Sequence, residues 1–442
     1  MRRACAVVRV ATPPSFPTPP TSPVPAILDA VEFDWDGFVG ELTAAASDAV
    51  RAMVDVLGER PYAVAFSGFY AETTGVIYLP NLAFATEESV EDADCRFSPP
   101  DWEHQDHEWA TTDARWGERL SAAVTGLPRA QWEQAWGRFA EAILTIAART
   151  RAALVADGTV APDVVVFVDD EPGELLVRSV TPEELRLHFP DYAAAADAER
   201  AVAAMPVEQR VQALATPAGL VAGPPQALGR DRAIELLLDA GAAAVPVGIA
   251  ALAHPDTAWA GAKLLADLAI ATPDVMDALW AALPLRANAH DWVATALGRL
   301  GAGPEVLARR DLPASSRAAA VAAPYTSFRD QGRGWAPLDY SLLAAGLADP
   351  SIAAAVTEEL KPGRGYCTPD AADIPGARLG LDHPEPVIRR HAVIVVGELF
   401  GPMGPDDVDP DELEVLRQRI SDAATGDSDT EVRRLAGYSC RV

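Results

Sequence analysis

Lysine is almost missing from this chain of 442 residues: only Lys263 and Lys361 occur, and arginine fills nearly every other basic position. We attribute this to coding bias rather than to chemistry. The four cysteines lie far apart and form no CxxC pair, which argues against a disulfide framework or a structural zinc site and fits a reducing cytosol. No apolar run reaches the roughly 18 residues that cross a bilayer. We therefore expect a cytoplasmic protein without membrane contact.

Positive charge is also in deficit, because 64 aspartates and glutamates face 36 lysines and arginines, a formal net charge of −28. Such a surface repels nucleic acid and favours basic partners or simple solubility. We therefore expect no nucleic-acid partner. Hydrophobic residues make up 49% of the chain, which is ample material for the cores of two or three domains.

Composition divides the chain into three parts. Residues 1–30 are rich in proline and lack periodicity, which predicts a disordered tail. In residues 31–192 helical patterns alternate with β-branched segments, which predicts an α+β domain with an antiparallel sheet and helices over one face. From residue 193 to 442 short apolar helices alternate with Gly, Pro and Asp breaks, and a run of four alanines from Ala193 marks the join.

Turn residues and hydrophobic periodicity place the elements of the α+β domain. They predict two hairpins, formed by residues 61–70 with 76–79 and by residues 163–170 with 175–180. They predict helices over residues 34–57, a short segment from Asn81, 111–125 and 129–156. Asp34 and Thr181 are placed to cap helices.

One helical unit recurs in the C-terminal half. The stretch from Asp382 to Leu399 predicts an amphipathic helix, and it returns with Ile388 matched to Val432, 44 positions later. A short helix, a turn with His or Asp, and a second helix occur around four positions: His254, Asp349, His383 and Asp427. Their intervals of 95, 34 and 44 fit a unit of roughly 35–47 residues with a degenerate copy between the first two.

These units resemble HEAT repeats of the phycobilin-lyase-like kind, in which an Asp-x-Asp-x-x-Val-Arg turn and helix recur. The segment DSDTEVRR from Asp427 carries the resemblance best, whereas Ala260 and Ala355 occupy the arginine position in earlier units. The resemblance implies an α-solenoid whose second helices line a concave side. It also implies that acids and arginines join neighbouring repeats, here Asp382, Arg389, Asp427 and Arg433.

The N-terminal part resembles the bacterial domain of unknown function 4303 family. The residues that carry this are FSGFY from Phe66, a segment from Asn81 ending in TEE, RFSPPDW from Arg96, and the VVVFVDD strand. The family offers no activity to transfer to this chain. Its genomic association with toxin–immunity systems implies an immunity or regulatory protein whose partner is a toxin or another basic protein.

Site-like polar clusters are few, and each has a structural alternative. His104 and His107 lie near Asp101 and could bind zinc or another divalent ion, although an acidic loop is more often simply solvated. Asp169 and Asp170 could hold a cation or act in acid–base chemistry, or form the polar turn of a hairpin. Ser67 lacks the Gly-x-Ser-x-Gly elbow of a nucleophile, so we interpret it as structural.

A partner contact is predicted in the segment APYTSFRDQGRGW, which interrupts the repeats. Its aromatic and basic side chains suit a protein interface: Tyr325, Phe328, Arg329, Arg333 and Trp335. A loop packed back on its own repeats is the alternative. The sequence thus favours a non-enzymatic interaction protein without a cofactor, and the alternative is a metal-dependent enzyme or metal binder at Asp101–Glu108.

Overall fold

The computed structural model describes residues 33–71, 75–90, 92, 95–284, 290–326, 336–361, 369–400, 405 and 408–440. The predicted tail, residues 1–30, lies outside this set. The described residues are mostly helical and contain one small sheet. The elements of the N-terminal part are α1 Trp35–Leu57, β1 Ala63–Ser67, β2 Asn81–Ala85, β3 His104–Asp106, α2 Trp116–Val124, α3 Arg129–Ala156, β4 Val165–Asp169, α4 Glu174–Ser179, α5 Pro182–His188 and α6 Pro190–Ala203.

Several helix ends follow directly from the residues that cap them. Helix α1 begins after Asp34, whose carboxylate accepts a hydrogen bond from the backbone N–H of Gly37 at 2.9 Å. It ends at Gly58, which adopts a left-handed φ of 73°. Thr181 and Glu184 form a reciprocal capping box at the start of α5. Helix α3 has the predicted bounds, whereas α2 begins later than predicted, at Trp116.

The four strands form a mixed sheet in the order β3-β2-β1-β4, so the prediction of an antiparallel sheet holds only in part. β1 pairs with β2, and β2 with β3, in antiparallel fashion. β1 and β4 run parallel. This pair is parallel because a long connection that contains α3 precedes β4, and such a crossover brings the chain back in the same direction.

Two segments adopt the opposite structure to the one predicted. The segment expected to open a helix at Asn81 is strand β2, because pairing with β1 outweighs the helical preference of leucine and alanine. The segment 175–180, expected as a strand, lies largely in helix α4. The carboxylate of Asp170 accepts the backbone N–H groups of Leu175 and Leu176 at 3.0 Å each and thereby caps α4.

Helices cover both faces of the sheet, whereas the sequence predicts one covered face. Side chains alternate along a strand, so Val64 and Phe66 join α1 and α3 in one core cluster. Ala63 and Ala65 point the other way and join a second cluster with residues of α4, α5 and α6. Every residue of β1 is therefore buried, which explains why the four residues before Ser67 are all apolar.

Beyond α6 the described residues contain helices and no strand. The α-helices are α7 Val207–Ala215, α8 Arg230–Ala240, α9 Val245–Ala251, α10 Ala258–Leu268, α11 Pro273–Ala282, α12 His290–Leu297, α13 Gly303–Ala308, α14 Ala314–Ala322, α15 Ser341–Leu347, α16 Ala353–Glu359, α17 Ile374–Leu381, α18 Pro386–Leu399, α19 Pro410–Gly426 and α20 Thr430–Ser439.

From α9 onward the helices associate as consecutive pairs. Contacts join α9 with α10, α11 with α12, α13 with α14, α15 with α16, α17 with α18, and α19 with α20. Second helices of neighbouring pairs also touch: α10 with α12, α12 with α14, α14 with α16, and α18 with α20. The four predicted helix–turn–helix units coincide with the pairs α9/α10, α15/α16, α17/α18 and α19/α20.

The second helices α10 and α14 lie well inside the helical part, although the sequence predicts that the second helices line an open concave side. By contrast, α16 and α20 bury only a narrow stripe of residues. In α14 every residue from Ser316 to Ala322 is buried. Glycine permits this packing, because a Cβ on Gly298 would lie 2.1 Å from the carbonyl oxygen of Ala320. Most of α14 therefore offers no surface to a partner.

Helix α6 spans the predicted join between the two parts. Ala193, near its start, belongs to the second core cluster of the sheet. Val202, near its end, packs against the first cluster of the helical part, which α7 and α8 share. The four alanines are therefore part of a continuous helix, and no loop separates the two parts at this point.

One helical segment, Arg230–Ala251, is long and apolar enough to cross a membrane by length and composition alone. It comprises α8, a short 3-10 turn and α9. Gly241 interrupts it with a φ of 59°. Because core helices of soluble proteins pass the same test, the segment is weak support for a membrane span.

Candidate functional site

Three polar side chains form a row across the sheet at the carboxyl ends of β1 and β4. In the strand register, Ser67 of β1 lies opposite Asn81 of β2 and opposite Asp169 of β4. Paired residues on neighbouring strands are about 5 Å apart and point to the same face. The other positions of this face are alanine, valine and phenylalanine, packed under α4, α5 and α6. We call Asn81, Ser67 and Asp169 the polar row.

The polar row is largely enclosed but poorly satisfied by the protein itself. Ser67 is only 5% exposed, and no described residue hydrogen-bonds to its hydroxyl. Within the same part of the chain, no residue hydrogen-bonds to or ion-pairs with the carboxylate of Asp169. Asn81 and Asp169 are half-buried, and the polar atoms of the row are not among the fully buried side-chain atoms without a partner. The Ser67 hydroxyl and the Asp169 carboxylate therefore keep contact with solvent and are open to a ligand.

Asp169 combines burial with a neighbouring like charge. Burial raises the pKa of its carboxyl group from an ordinary 3.8 to about 6, and the negative charge of Asp170 adds to the effect. Burial also raises the pKa of Asp170, although the N–H groups of Leu175 and Leu176 oppose that change. Carboxyl groups perturbed in this way concentrate at functional sites, where binding or acid–base chemistry uses them.

Tyr192 of α6 lies beside these carboxyl groups. Burial raises the pKa of its phenol, and the charges of Asp169 and Asp170 add to the rise. A glycine makes room for the ring: Gly173 has a φ of 76°, and a Cβ there would lie 2.1 Å from Cε1 of Tyr192. The turn after β4 thus brings a half-exposed aromatic ring next to the polar row.

Two exposed tyrosines follow the same end of β1. Tyr70 and Tyr78 are 57% and 43% exposed, and their ring centroids lie 5.7 Å apart. The backbone N–H of Tyr78 donates to the carbonyl of Tyr70, and a bridge between Ala71 and Ile77 closes the connection. Tyr70 comes three residues after Ser67, so aromatic surface and polar row share one end of the sheet.

Sequence reasoning missed this arrangement. It interpreted Ser67 as structural, left Asp169 open between a cation or acid–base site and the polar turn of a hairpin, and assigned Asn81 to a helix. The available signal was a polar residue at one end of each of three apolar strands, in the same alternation phase as the alanines of β1 and β2 and as Val165 and Phe167 of β4. That phase becomes visible only when the segment from Asn81 is recognised as a strand.

The predicted metal cluster is divided along β3: His104 pairs with Phe84, toward the end of the sheet away from the polar row, whereas Asp106 pairs with Leu82, next to Asn81. His104 is in β3 and borders a shallow open cavity of about 190 Å³. The lining residues are Leu57, Glu59, Thr86, Glu88, Ser89, Glu103 and His104. Hydrogen bonding with Glu59 raises the pKa of the exposed Glu88. This cavity is therefore separate from the polar row, and its carboxyl groups already interact with each other.

The histidines of that cluster do not converge with its acids. Residues three apart in an extended strand project to opposite sides, and His107 follows β3 directly after Asp106. Asp101 is exposed and accepts a hydrogen bond from the hydroxyl of Ser98 at 2.7 Å. Across the described ranges, no three His, Cys, Asp or Glu residues are grouped so as to hold a metal ion. The metal hypothesis thus lacks a set of ligands in the part described.

The predicted partner-binding segment is only partly described. Phe328, Arg329, Arg333 and Trp335 lie outside the described residues. Tyr325 is buried, and its hydroxyl donates to the backbone carbonyl of Asp339 at 2.5 Å. His391 of α18 contacts the carbonyl of Tyr325 and the hydroxyl of Tyr340, each at 2.8 Å. Tyr325 is therefore held in the core by these hydrogen bonds and presents no surface to a partner.

The predicted inter-repeat residues lie between the last two helix pairs. Arg389 of α18 donates to both carboxylate oxygens of Asp427, before α20, at 2.8 and 2.9 Å. Asp382 pairs with Arg419 of α19 at 3.0 Å. Arg433 stays within its own unit and donates to the backbone carbonyl of Asp427. These contacts connect α17/α18 to α19/α20.

An earlier pair of the same kind was missed from the sequence. Arg317 of α14 donates to Asp349, in the turn between α15 and α16, at 3.1 Å. Both side chains are buried. Arg310 also contacts Asp349. Ala355 of α16 occupies the position that an arginine has in the later units. Helix α16 therefore has no arginine that could bind the turn between α17 and α18.

Comparisons of this chain with models of protein families, with curated proteins and with solved structures found no match. The two resemblances inferred from sequence motifs therefore remain predictions.

Proposed function

We propose that this chain is a non-enzymatic protein-binding protein whose α+β part contacts the partner at the carboxyl ends of β1 and β4. The exposed pair Tyr70 and Tyr78 carries this proposal. Tyrosine is enriched at protein interfaces because its ring offers a large, rigid contact area with a polar tip. Two of them side by side, next to the polar row, make a compact anchor.

The rest of the molecule supports such a role as a scaffold. The helix pairs act as a HEAT-like solenoid that holds the α+β part, and ion pairs such as Arg389–Asp427 stiffen the stack. The net charge of −28 favours a basic partner and accelerates its association. A role as an immunity or regulatory protein of a bacterial toxin system is the narrower form of this proposal and rests on the family resemblance alone.

A capture experiment with extracts of the native host tests the proposal. The wild-type chain and the double variant Tyr70→Ser/Tyr78→Ser are immobilised, and bound proteins are identified and quantified by mass spectrometry. We expect a partner to be retained by the wild type and reduced at least tenfold by the double variant, because loss of two anchors at an interface costs more than ~1.4 kcal/mol.

Tyr438→Ser is the matched control, since Tyr438 is a still more exposed tyrosine on α20. It is expected to retain the partner at the wild-type level. Size-exclusion chromatography with light scattering then gives the stoichiometry of the purified complex. Failure of the wild type to retain any protein that the double variant loses would contradict the proposal.

A further inference from the structure

The polar row is rich in acceptors, and its own donors, the amide of Asn81 and the hydroxyl of Ser67, carry no positive charge to balance Asp169. When ionised, the carboxylate of Asp169 only accepts hydrogen bonds, and the carbonyl of Asn81 and the hydroxyl of Ser67 accept as well. Asp170, next in the chain, is already engaged by the N-terminal N–H groups of α4. No described arginine or lysine pairs with Asp169. The ligand that completes this row is therefore one that carries several donors and a positive charge.

We propose that the polar row binds a guanidinium group, namely an arginine side chain of the partner protein. This inference rests on the proposed function and specifies the chemistry of its partner. A guanidinium presents five N–H donors in one plane, so it can bond a carboxylate with two of them and a neighbouring acceptor with a third. The half-exposed ring of Tyr192 lies beside the carboxylates, where a planar cation would contact it.

The enclosure of the row favours a guanidinium over other cations. Ser67 is almost fully buried, so a ligand that reaches it must shed water. A guanidinium is more weakly hydrated than an ammonium and is preferred in buried ion pairs. A zinc ion would need three or more convergent ligands, and the described residues offer no group of three His, Cys, Asp or Glu side chains.

Titration of the full-length chain with acetyl-arginine amide tests the inference. Acetyl-citrulline amide, which has nearly the same shape without the charge, is the matched ligand. Isothermal calorimetry is expected to give a dissociation constant of roughly 1 mM for the arginine derivative, near −4 kcal/mol, and no measurable heat for the citrulline derivative.

Variants locate the binding. Asp169→Asn and the conservative Ser67→Ala are each expected to weaken binding at least fivefold. Asp163→Asn is the matched control, because Asp163 is an exposed acid before the other end of β4. Circular dichroism and thermal melting establish that each variant is folded. Equal binding of citrulline, or equal loss with Asp163→Asn, would overturn the inference, because either result indicates general attraction to an acidic surface.

The two proposals fail independently of each other. If arginine does not bind but Tyr70→Ser/Tyr78→Ser still loses the partner, the protein-binding function stands and the guanidinium site is wrong. If arginine binds through Asp169 while no protein is retained, the row is a site for a free guanidinium compound and the proposed function is wrong.

Discussion

The carboxyl group of Asp169 sits where its own charge is disfavoured. Its side chain is in a largely apolar sheet face, beside Asp170, and its pKa is raised to about 6. In the unfolded chain the same group ionises near 3.8. Folding therefore becomes less favourable as the pH rises between these values, because the folded protein binds more protons than the unfolded chain. A residue that weakens its own fold is typical of a functional site.

Replacement of this carboxyl group is expected to stabilise the protein at neutral pH. The difference of about two pH units corresponds to at most ~3 kcal/mol, so Asp169→Asn should raise the free energy of unfolding by about 1–2 kcal/mol at pH 7.5. The gain should be mostly lost at pH 4, where Asp169 is protonated in the folded protein and about half protonated in the unfolded chain. Urea unfolding at pH 7.5 and at pH 4 measures this gain in the free energy of unfolding.

Asp163→Asn again serves as the control, with an expected change below ~0.5 kcal/mol at either pH because the residue is exposed. A gain for Asp169→Asn that persists unchanged at pH 4 would show that burial of charge is not the cause. A loss at pH 7.5 would show that the carboxylate has a stabilising partner.

Ion pairs between helix pairs differ from those within one helix in how far they are removed from water. The side chains of Arg389 and Asp427 are 12% and 10% exposed, whereas those of Arg434 and Glu431 are 59% and 28% exposed. Exposed pairs contribute about 0–1 kcal/mol, but loss of one partner from a buried pair leaves an uncompensated charge. The first pair should therefore matter much more to stability.

Arg389→Met is expected to lower the free energy of unfolding by about 2–3 kcal/mol, because the half-buried Asp427 carboxylate keeps only the backbone N–H of Asp429 as a donor and loses its countercharge. The substitution also removes the guanidinium N–H that the backbone carbonyls of His383 and Pro384 accept. Arg434→Met keeps the same change of residue type at an exposed position and should cost less than ~0.5 kcal/mol. Chemical denaturation of both variants provides the comparison. Equal effects of the two substitutions would mean that the inter-pair contact adds nothing.

Elements with strong local signals were predicted well, and elements that depend on distant pairing were not. Helix α1 is capped by Asp34 and ended by Gly58, and α3 carries a long apolar stripe, so their bounds follow from neighbouring residues. The prediction of a helix from Asn81 was wrong because the five residues of this segment suit a helix or a strand, and only pairing with β1 decides between them. The prediction of a strand from Leu175 was wrong because it did not include the cap that Asp170 supplies to α4.

The molecule contains separate apolar cores rather than one. The cluster around α1, α3 and the sheet shares no residue with the clusters of the helical part. Helix α6 touches both kinds of core. Damage to one core should therefore spread little to the others, as in proteins built of cooperative units that open independently.

Hydrogen exchange can measure that independence. Phe139→Ala, at a fully buried position of α3, removes a ring from the first core and should cost about 3–5 kcal/mol. We expect faster exchange in residues 33–190 and little change in residues 211–440. Leu343→Ala, buried in α15, should give the reverse distribution. If either variant accelerated hydrogen exchange equally in both ranges, the protein would unfold as a single cooperative unit.

The sequence by itself determined the local and additive properties of this protein. Helix periodicity, the caps at Asp34 and Thr181 and the acidic charge depend on residues within a few positions of each other or on simple counts. Only the tertiary structure decided that β1 and β4 run parallel, that both faces of the sheet are covered, and that Asn81, Ser67 and Asp169 meet in one row. The physical reason is that strand register depends on contacts between segments far apart along the chain, and a shift of one residue would turn each side chain to the other face.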